Sequence, residues 1–347
     1  MNFNGKHIVF LTPGFAQNEQ DSTTIPAIQI YIKALKANNP EIKITIISFQ
    51  YPFVSLPYTW FGCDVIPLNG KNKHVKRPLL YRTSLKLLSQ LHKKLPIHFI
   101  HSFWLGECAF IGYTFSKGNQ IKHLTTLMGQ DVLKRNFFGK ILPLHKMRFI
   151  SVSVHQQKLF EENYKTKSEV IPWGINSADI PEIQSKTIDC INVGSLNKIK
   201  NQEEFIEIIA EINKIRSVKA LIIGEGEERK RLQNKIELLG LESTIELKGL
   251  CSNSETLMYI AQSKILIHTS NFESFGMIFA EALHCKTTIV SKNVGVAYNT
   301  PNWFIGSDTS QLIEGVMNFL NSSFIEPEVS PLRIETTLEH YLKIYHE

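Results

Sequence analysis

Long hydrophobic runs are missing from this sequence: no window reaches the roughly 18–20 continuous apolar residues that a bilayer-spanning helix requires. The opening stretch MNFNGKHIVFLTPGF has only a short apolar core, interrupted by Pro13, and lacks the long apolar region of a secretion signal. Cysteine is scarce and odd in number, at 63, 108, 190, 251 and 285, and is never spaced C-x-x-C. That usage points to reduced core thiols and away from a disulfide framework or a zinc site. Low-complexity segments and repeats shorter than a domain are absent too. What remains, 43% hydrophobic and 20% charged over 347 residues, suits two globular domains. The expected compartment is the cytoplasm.

The net charge of +6 conceals an imbalance. Residues 1–172 hold 22 Lys and Arg against 9 Asp and Glu, a balance of +13, whereas residues 173–347 hold 16 against 23, a balance of −7. Basic stretches such as KNKHVKRP (71–78) and HKK (92–94) make the first half a candidate for attraction to anionic phospholipid headgroups or a phosphorylated acceptor. An ordinary solvated basic face is the competing reading. No nucleic-acid-binding motif accompanies the charge, so nucleic acid is not an expected partner.

Short apolar runs alternate with longer amphipathic ones, the pattern of parallel sheets with crossover helices. Strands are predicted over 7–12, 43–49, 97–103, 123–128 and 149–154, with helical pattern over 24–38 and 81–95. VIPWGINSADIPEIQSK (170–186) reads as a linker. A second series follows: strands at 189–196, 219–228 and 243–250, helices at 201–215 and 228–240, then a strand–loop–helix–strand unit over 264–292. A helix near 309–321 and an amphipathic one over 330–347 close the chain. The expected architecture is α/β, two tandem Rossmann-like doubly wound domains facing a cleft: 1–172, 173–322, and a closing segment 323–347 that packs back toward the first. In such sheets ligands sit outside the carboxyl ends of the strands.

The stretch NFESFGMIFAEAL carries the most chemistry. A helix beginning at about Gly276 offers unpaired N–H groups from Ser274, Phe275, Gly276 and Met277 to an anion, and Gly276 permits close approach. Glu273 lies beside that anion site. Glu281 sits in a helix apolar on nearly every side, so it is expected to be buried, where it needs hydrogen-bond donors such as paired sugar hydroxyls. A capped or salt-bridged glutamate is the bland alternative at either position.

The E-x7-E spacing of ESFGMIFAE resembles the signature of retaining glycosyltransferases of the GT-B fold, especially glycosyltransferase family 4 (glycosyl transferases group 1). VIPWGIN (170–176), INVGSLNKIKN (191–201), LIIGEGEERKRLQ (221–233), IELKGLCS (245–252) and LTTLMGQDV (124–132) are similar to further family segments and fall in the expected order. The resemblance implies that Glu273 and Lys200 act at the reacting centre, with Glu273 on the hydroxyls of the transferred hexose and Lys200 on the diphosphate. It implies donor contacts at Glu281 for the ribose, at the amides of Ser274 to Met277, at Ser195 and Gly14 near the diphosphate, and at Gly224, Gly249 and Cys251 around the base. Departures accompany it: Ser195 replaces the usual Arg, and Met128 replaces a His. His101 is a possible substitute for that His, although a histidine at a strand end is more often simply packed, and Met128 and Asp131 mark the acceptor or sugar side.

No two of the six aspartates form the D-x-D pair that metal-dependent glycosyltransferases use. Neither a metal nor a cofactor is therefore expected, the nucleotide-diphosphate sugar being a co-substrate. The implied reaction is front-face hexosyl transfer, with retained configuration, to a saccharide or lipid-linked acceptor, at the inner face of the cytoplasmic membrane if the basic half docks there. A nucleotide-sugar epimerase of the same fold and a catalytically silent nucleotide-sugar-binding protein are the alternatives. A nicotinamide dehydrogenase is disfavoured because GEGEER holds only half of the required glycine turn.

Overall fold

The computed structural model describes residues 5–73, 77–182, 185–298, 300–322 and 332–347. Residues 74–76 of the basic run, 183–184 of the expected linker, Asn299, and 323–331 with the start of the closing segment lie outside the described residues. The chain divides into two compact units, Met1–Gly174 with Ile334–Glu347, and Ile175–Arg333.

The first unit runs β1 (His7–Gly14), α1 (Pro26–Asn38), β2 (Lys43–Tyr51), β3 (Tyr58–Trp60), β4 (Cys63–Pro67), α2 (Arg77–Lys94), β5 (Phe99–Phe103), α3 (Glu107–Asn119), β6 (Lys122–Thr126), α4 (Phe137–Ile141), β7 (Arg148–Ser151), α5 (Val154–Tyr164) and β8 (Glu169–Val170). Its sheet has the order β3-β4-β2-β1-β5-β6-β7-β8, parallel except for the β3–β4 hairpin. That hairpin turns on Phe61 and Gly62, both at positive φ (43° and 75°), the geometry of a tight two-residue connection. Val9 and Leu11 point to one side with Ile47, Phe49 and Ile100. Phe10 on the other side stacks with Phe103 and meets Tyr31 edge-on. Burial on both faces is what helices on both sides of a parallel sheet require.

The second unit runs β9 (Ile188–Val193), α6 (Gln202–Ile215), β10 (Ala220–Ile223), α7 (Arg229–Leu238), β11 (Ile245–Gly249), α8 (Asn253–Ala261), β12 (Ser263–His268), α9 (Met277–His284), β13 (Thr288–Ser291), β14 (Trp303–Ile305) and α10 (Thr309–Asn321). Its sheet, β11-β10-β9-β12-β13-β14, is parallel throughout, and two apolar clusters cover its faces. Local sequence sets several helix starts: Ser252 and Glu255 form a reciprocal capping box on α8, and Asp308 caps α10 through Gln311 N–H at 3.0 Å. The last helix, α11 (Ile334–His346), belongs to the first unit and packs on α1.

Strand order reverses twice. In the first unit β1 pairs with both β2 and β5, and in the second β9 pairs with both β10 and β12. At such switch points the flanking loops diverge and leave a crevice at the carboxyl ends of the strands. In the second unit those loops are 194–201 after β9 and 269–276 after β12.

Candidate active site

The loops after β9 and β12 are tied together by the backbone. Asn271 N–H donates to Ile199 O at 2.8 Å, and the Thr269 hydroxyl donates to Lys200 O at 3.2 Å. The Asn197 carboxamide orders its own loop by accepting from Ile199 N–H at 3.0 Å and Lys200 N–H at 3.1 Å. Lys200 is thereby carried against Glu273, 73 residues away in sequence, and its Nζ forms an ion pair with Glu273 Oε1. The same oxygen accepts from His268 Nε2 at 2.9 Å. Burial by itself would raise Glu273, but the His268 hydrogen bond and the Lys200 charge outweigh it and hold the carboxyl at about 2. His268 is lowered, chiefly by burial, and is neutral at physiological pH.

At the start of α9, Ser274, Phe275 and Gly276 are buried and Met277 is partly so. Gly276 caps the helix at φ 83°, and a Cβ there would lie 2.6 Å from the Phe279 ring. Both conformation and space therefore require glycine. The N–H groups of Phe275, Gly276 and Met277 have no partner among the described residues, which leaves a row of donors at the positive end of the helix dipole.

Glu281, on α9, joins neither Lys200 nor His268. It is 7% exposed, and burial pushes its carboxyl up to about 7 against the pull of a hydrogen bond from Asn253 on α8. Gly224 and Gly226 follow β10, where Cβ atoms would come within 1.9 Å of Gly194 O and 2.2 Å of Leu196 O, so glycine lets the two loops lie side by side. Gly224 N–H donates to Gly249 O at 2.9 Å, Gly249 has φ 89°, and Cys251 follows it, half-buried. Ser195 and Lys198 are exposed.

The remaining candidates lie in the first unit. Gly14 ends β1, where a Cβ would make ordinary contacts of 3.5 Å or more. Met128 is half-buried. The Asp131 carboxylate accepts from Leu105 N–H at 2.8 Å, Gly129 N–H at 2.7 Å and Met128 N–H at 3.3 Å, so it orders its own loop. Of the two readings of His101, the structure shows the packed one. It is fully buried, with Nδ1 2.6 Å from the Tyr345 hydroxyl and Nε2 2.7 Å from Thr126 Oγ1. Both ring nitrogens are occupied within the core, which leaves none for a sugar.

His268 and Asn253 were not singled out from the sequence. The one available signal for His268 was a histidine closing an apolar strand five residues before Glu273. Among the described residues, no group of three His, Cys, Asp or Glu side chains is placed to hold a metal, and no helix is long and apolar enough to cross a membrane.

Comparison with known proteins bears on this arrangement. Residues 176–300 match the model of the family described as glycosyl transferases group 1. An uncharacterized glycosyltransferase of Methanocaldococcus jannaschii is 27% identical over 205 residues, 57% of each chain, so the match spans little more than half of that relative. In fold, the chain is similar to sucrose-phosphate synthase from Thermosynechococcus elongatus (TM-score 0.78, 14% identity, 98% of each chain covered). It is also similar to Anabaena HepE in complex with UDP and glucose (TM-score 0.75, 15% identity, 98% of this chain and 99% of that one). Residues 176–300 thus carry a likeness to the glycosyl transferases group 1 family, and the two parallel-sheet units have the GT-B fold.

Proposed function

We propose that the protein is a retaining, metal-independent glycosyltransferase that moves a hexose from a nucleotide-diphosphate sugar to a hydroxyl of a saccharide or lipid-linked acceptor. The observation that carries the reading is the switch-point cluster: an ionised Glu273 gripped by Lys200 and His268, next to free amides at the start of α9. The amides and Lys200 would stabilise the leaving diphosphate. Glu273 would accept from hydroxyls of the sugar, and Glu281, short of donors in its apolar setting, from those of the ribose. The anomeric C–O bond to the diphosphate breaks, the acceptor oxygen bonds to the same face of that carbon, and the departing diphosphate oxygen takes the acceptor's proton. Anabaena HepE, with UDP and glucose bound, supports a nucleotide-sugar donor.

An acceptor in or on a membrane fits the first unit. Phe137 and Ile141, four residues apart on α4, are 64% and 50% exposed. Exposed Lys134, Arg135, Lys140 and Lys146 surround them in sequence, and none pairs with a carboxylate among the described residues. Apolar tips among unpaired cations suit the cytoplasmic face of an anionic membrane. Ser195 and Met128, where the resemblance to the family implies an Arg and a His, keep a silent nucleotide-sugar-binding protein as the second reading.

A thermal-shift panel of UDP, GDP, ADP and their common sugar conjugates, without added metal, tests the proposal. Stabilisation by one nucleotide class, with turnover of its sugar conjugate that Glu273→Ala abolishes, is the expected result. Binding without transfer or slow hydrolysis would favour the silent protein, and no shift at millimolar ligand would overturn both readings.

A further inference from the structure

We propose that His268 is a positioning residue: it holds Oε1 of Glu273 so that Oε2 alone is presented to the donor sugar. The inference rests on the reading of Glu273 given above. Both the Lys200 ammonium and the His268 ring engage Oε1, whereas no described residue donates to Oε2. The two donors differ in kind. Lys200 is a flexible chain whose side chain is 26% exposed, and a bound diphosphate would compete for its charge. His268 is 2% exposed and cannot follow. Its ring stands edge-on to Phe279 at 4.7 Å and 77°, and Phe279 in turn occupies the space that a side chain at 276 would fill. When Lys200 turns toward a diphosphate, His268 is the group that keeps Glu273 in place.

The tautomer follows from the partners. Nε2 faces a carboxylate, while Nδ1 is buried with no partner among the described residues, so the proton of the neutral ring belongs on Nε2. Lys200 and His268 are the charged and titratable groups acting on Glu273, and Glu273 and Lys200 are those acting on His268. A neutral donor orients the carboxylate without adding a second cation that would bind it more tightly than the sugar does.

The test compares the full-length wild type with His268→Phe, which keeps a packed ring but no donor, and His268→Gln, which keeps an N–H donor. Carbon-13 NMR titration of the glutamate carboxyls, with Glu273 assigned through Glu273→Gln, should show its midpoint moving to higher pH in the Phe variant and returning in the Gln variant. An unmoved midpoint in a folded Phe variant would overturn the proposal. If the Phe variant does not fold, nitrogen-15 shifts of the wild-type ring still decide, since a proton on Nδ1 contradicts the assignment. With UDP-glucose as the probe, kcat should fall about a hundredfold in the Phe variant while KM stays within about threefold, and Gln should recover most of the loss. Equal losses in both variants would assign His268 to packing alone. If the wild type binds but does not turn over any nucleotide sugar, the functional reading fails while the titration still reports on His268.

Discussion

Replacing Glu281 with Gln should stabilise the second unit, and only above a definite pH. The carboxyl sits at 7% exposure among Ile278, Phe279, Ala282 and Leu283, and burial raises it from 4.5 to about 7. Because the folded-state value is the higher one, the folded chain holds the proton more tightly between those two pH values. Stability is therefore full below pH 4.5 and is lost as pH rises to about 7. A rise of about 2.5 at about 1.36 kcal/mol each comes to roughly 3 kcal/mol. Gln occupies nearly the same volume and does not titrate, so the variant escapes this loss. For a unit of this size, roughly 3 kcal/mol corresponds to about 6–12 °C in Tm. Thermal melts of both proteins at half-unit steps from pH 4.5 to 8.5 measure the effect, and other titrating groups cancel in the difference. The gap, variant minus wild type, should widen by that amount and level off above pH 7. A gap that is constant with pH would refute the reasoning, because it would mean that Glu281 ionises as a solvated carboxyl does. If ribose hydroxyls donate to the ionised form, a saturating nucleotide should shrink the gap, and nucleotide affinity should rise with pH through 7.

Three further outcomes are expected. Gly276→Ala adds a left-handed strain of about 1–2 kcal/mol and a clash with Phe279 of about 1–3 kcal/mol, so its urea midpoint should drop, and a midpoint within error of wild type would contradict the φ of 83°. Tyr345→Phe removes the hydroxyl that lies 2.6 Å from both the Tyr31 hydroxyl and His101 Nδ1, which should cost about 1–3 kcal/mol in thermal or denaturant unfolding; no loss would mean that water or a rearrangement satisfies both partners. Sedimentation with anionic vesicles should weaken as salt rises and fall further in a Phe137→Glu, Ile141→Glu double variant, whereas salt-insensitive binding would remove the membrane reading.

Much of the fold was legible because parallel-sheet strands and crossover helices differ in period and burial. The apolar runs at β1, β9 and β12 and the amphipathic α10 stand out for that reason. Other elements were hidden. The α3 stretch carries Gly106, Gly112 and Gly118 in or beside it, and its helix is held by packing so close that a Cβ on Gly112 would lie 2.4 Å from Ser102 Oγ. The β3–β4 hairpin is surrounded by prolines and is only three residues wide on one side.

At the site, spacing alone placed Glu273, Gly276 and Glu281 on one loop and helix, because those residues are neighbours along the chain. Their electrostatics were not legible. Whether Glu273 is held ionised and Glu281 is driven toward its neutral form depends on what the rest of the unit brings to each. The histidines make the point most directly. His101 and His268 give the same local signal, a histidine near the end of an apolar strand. Tyr345, 244 residues away in sequence, claims one ring nitrogen of His101 and makes it part of the core. His268, in the second sheet, meets instead a carboxylate that the β9–β12 switch point brings together with Lys200. Apolar period and glycine positions are properties of short segments, so the sequence determined the elements and the loop that carries Glu273. The partner of a buried polar group is supplied by a distant segment, so only the tertiary structure decided which histidine meets Glu273.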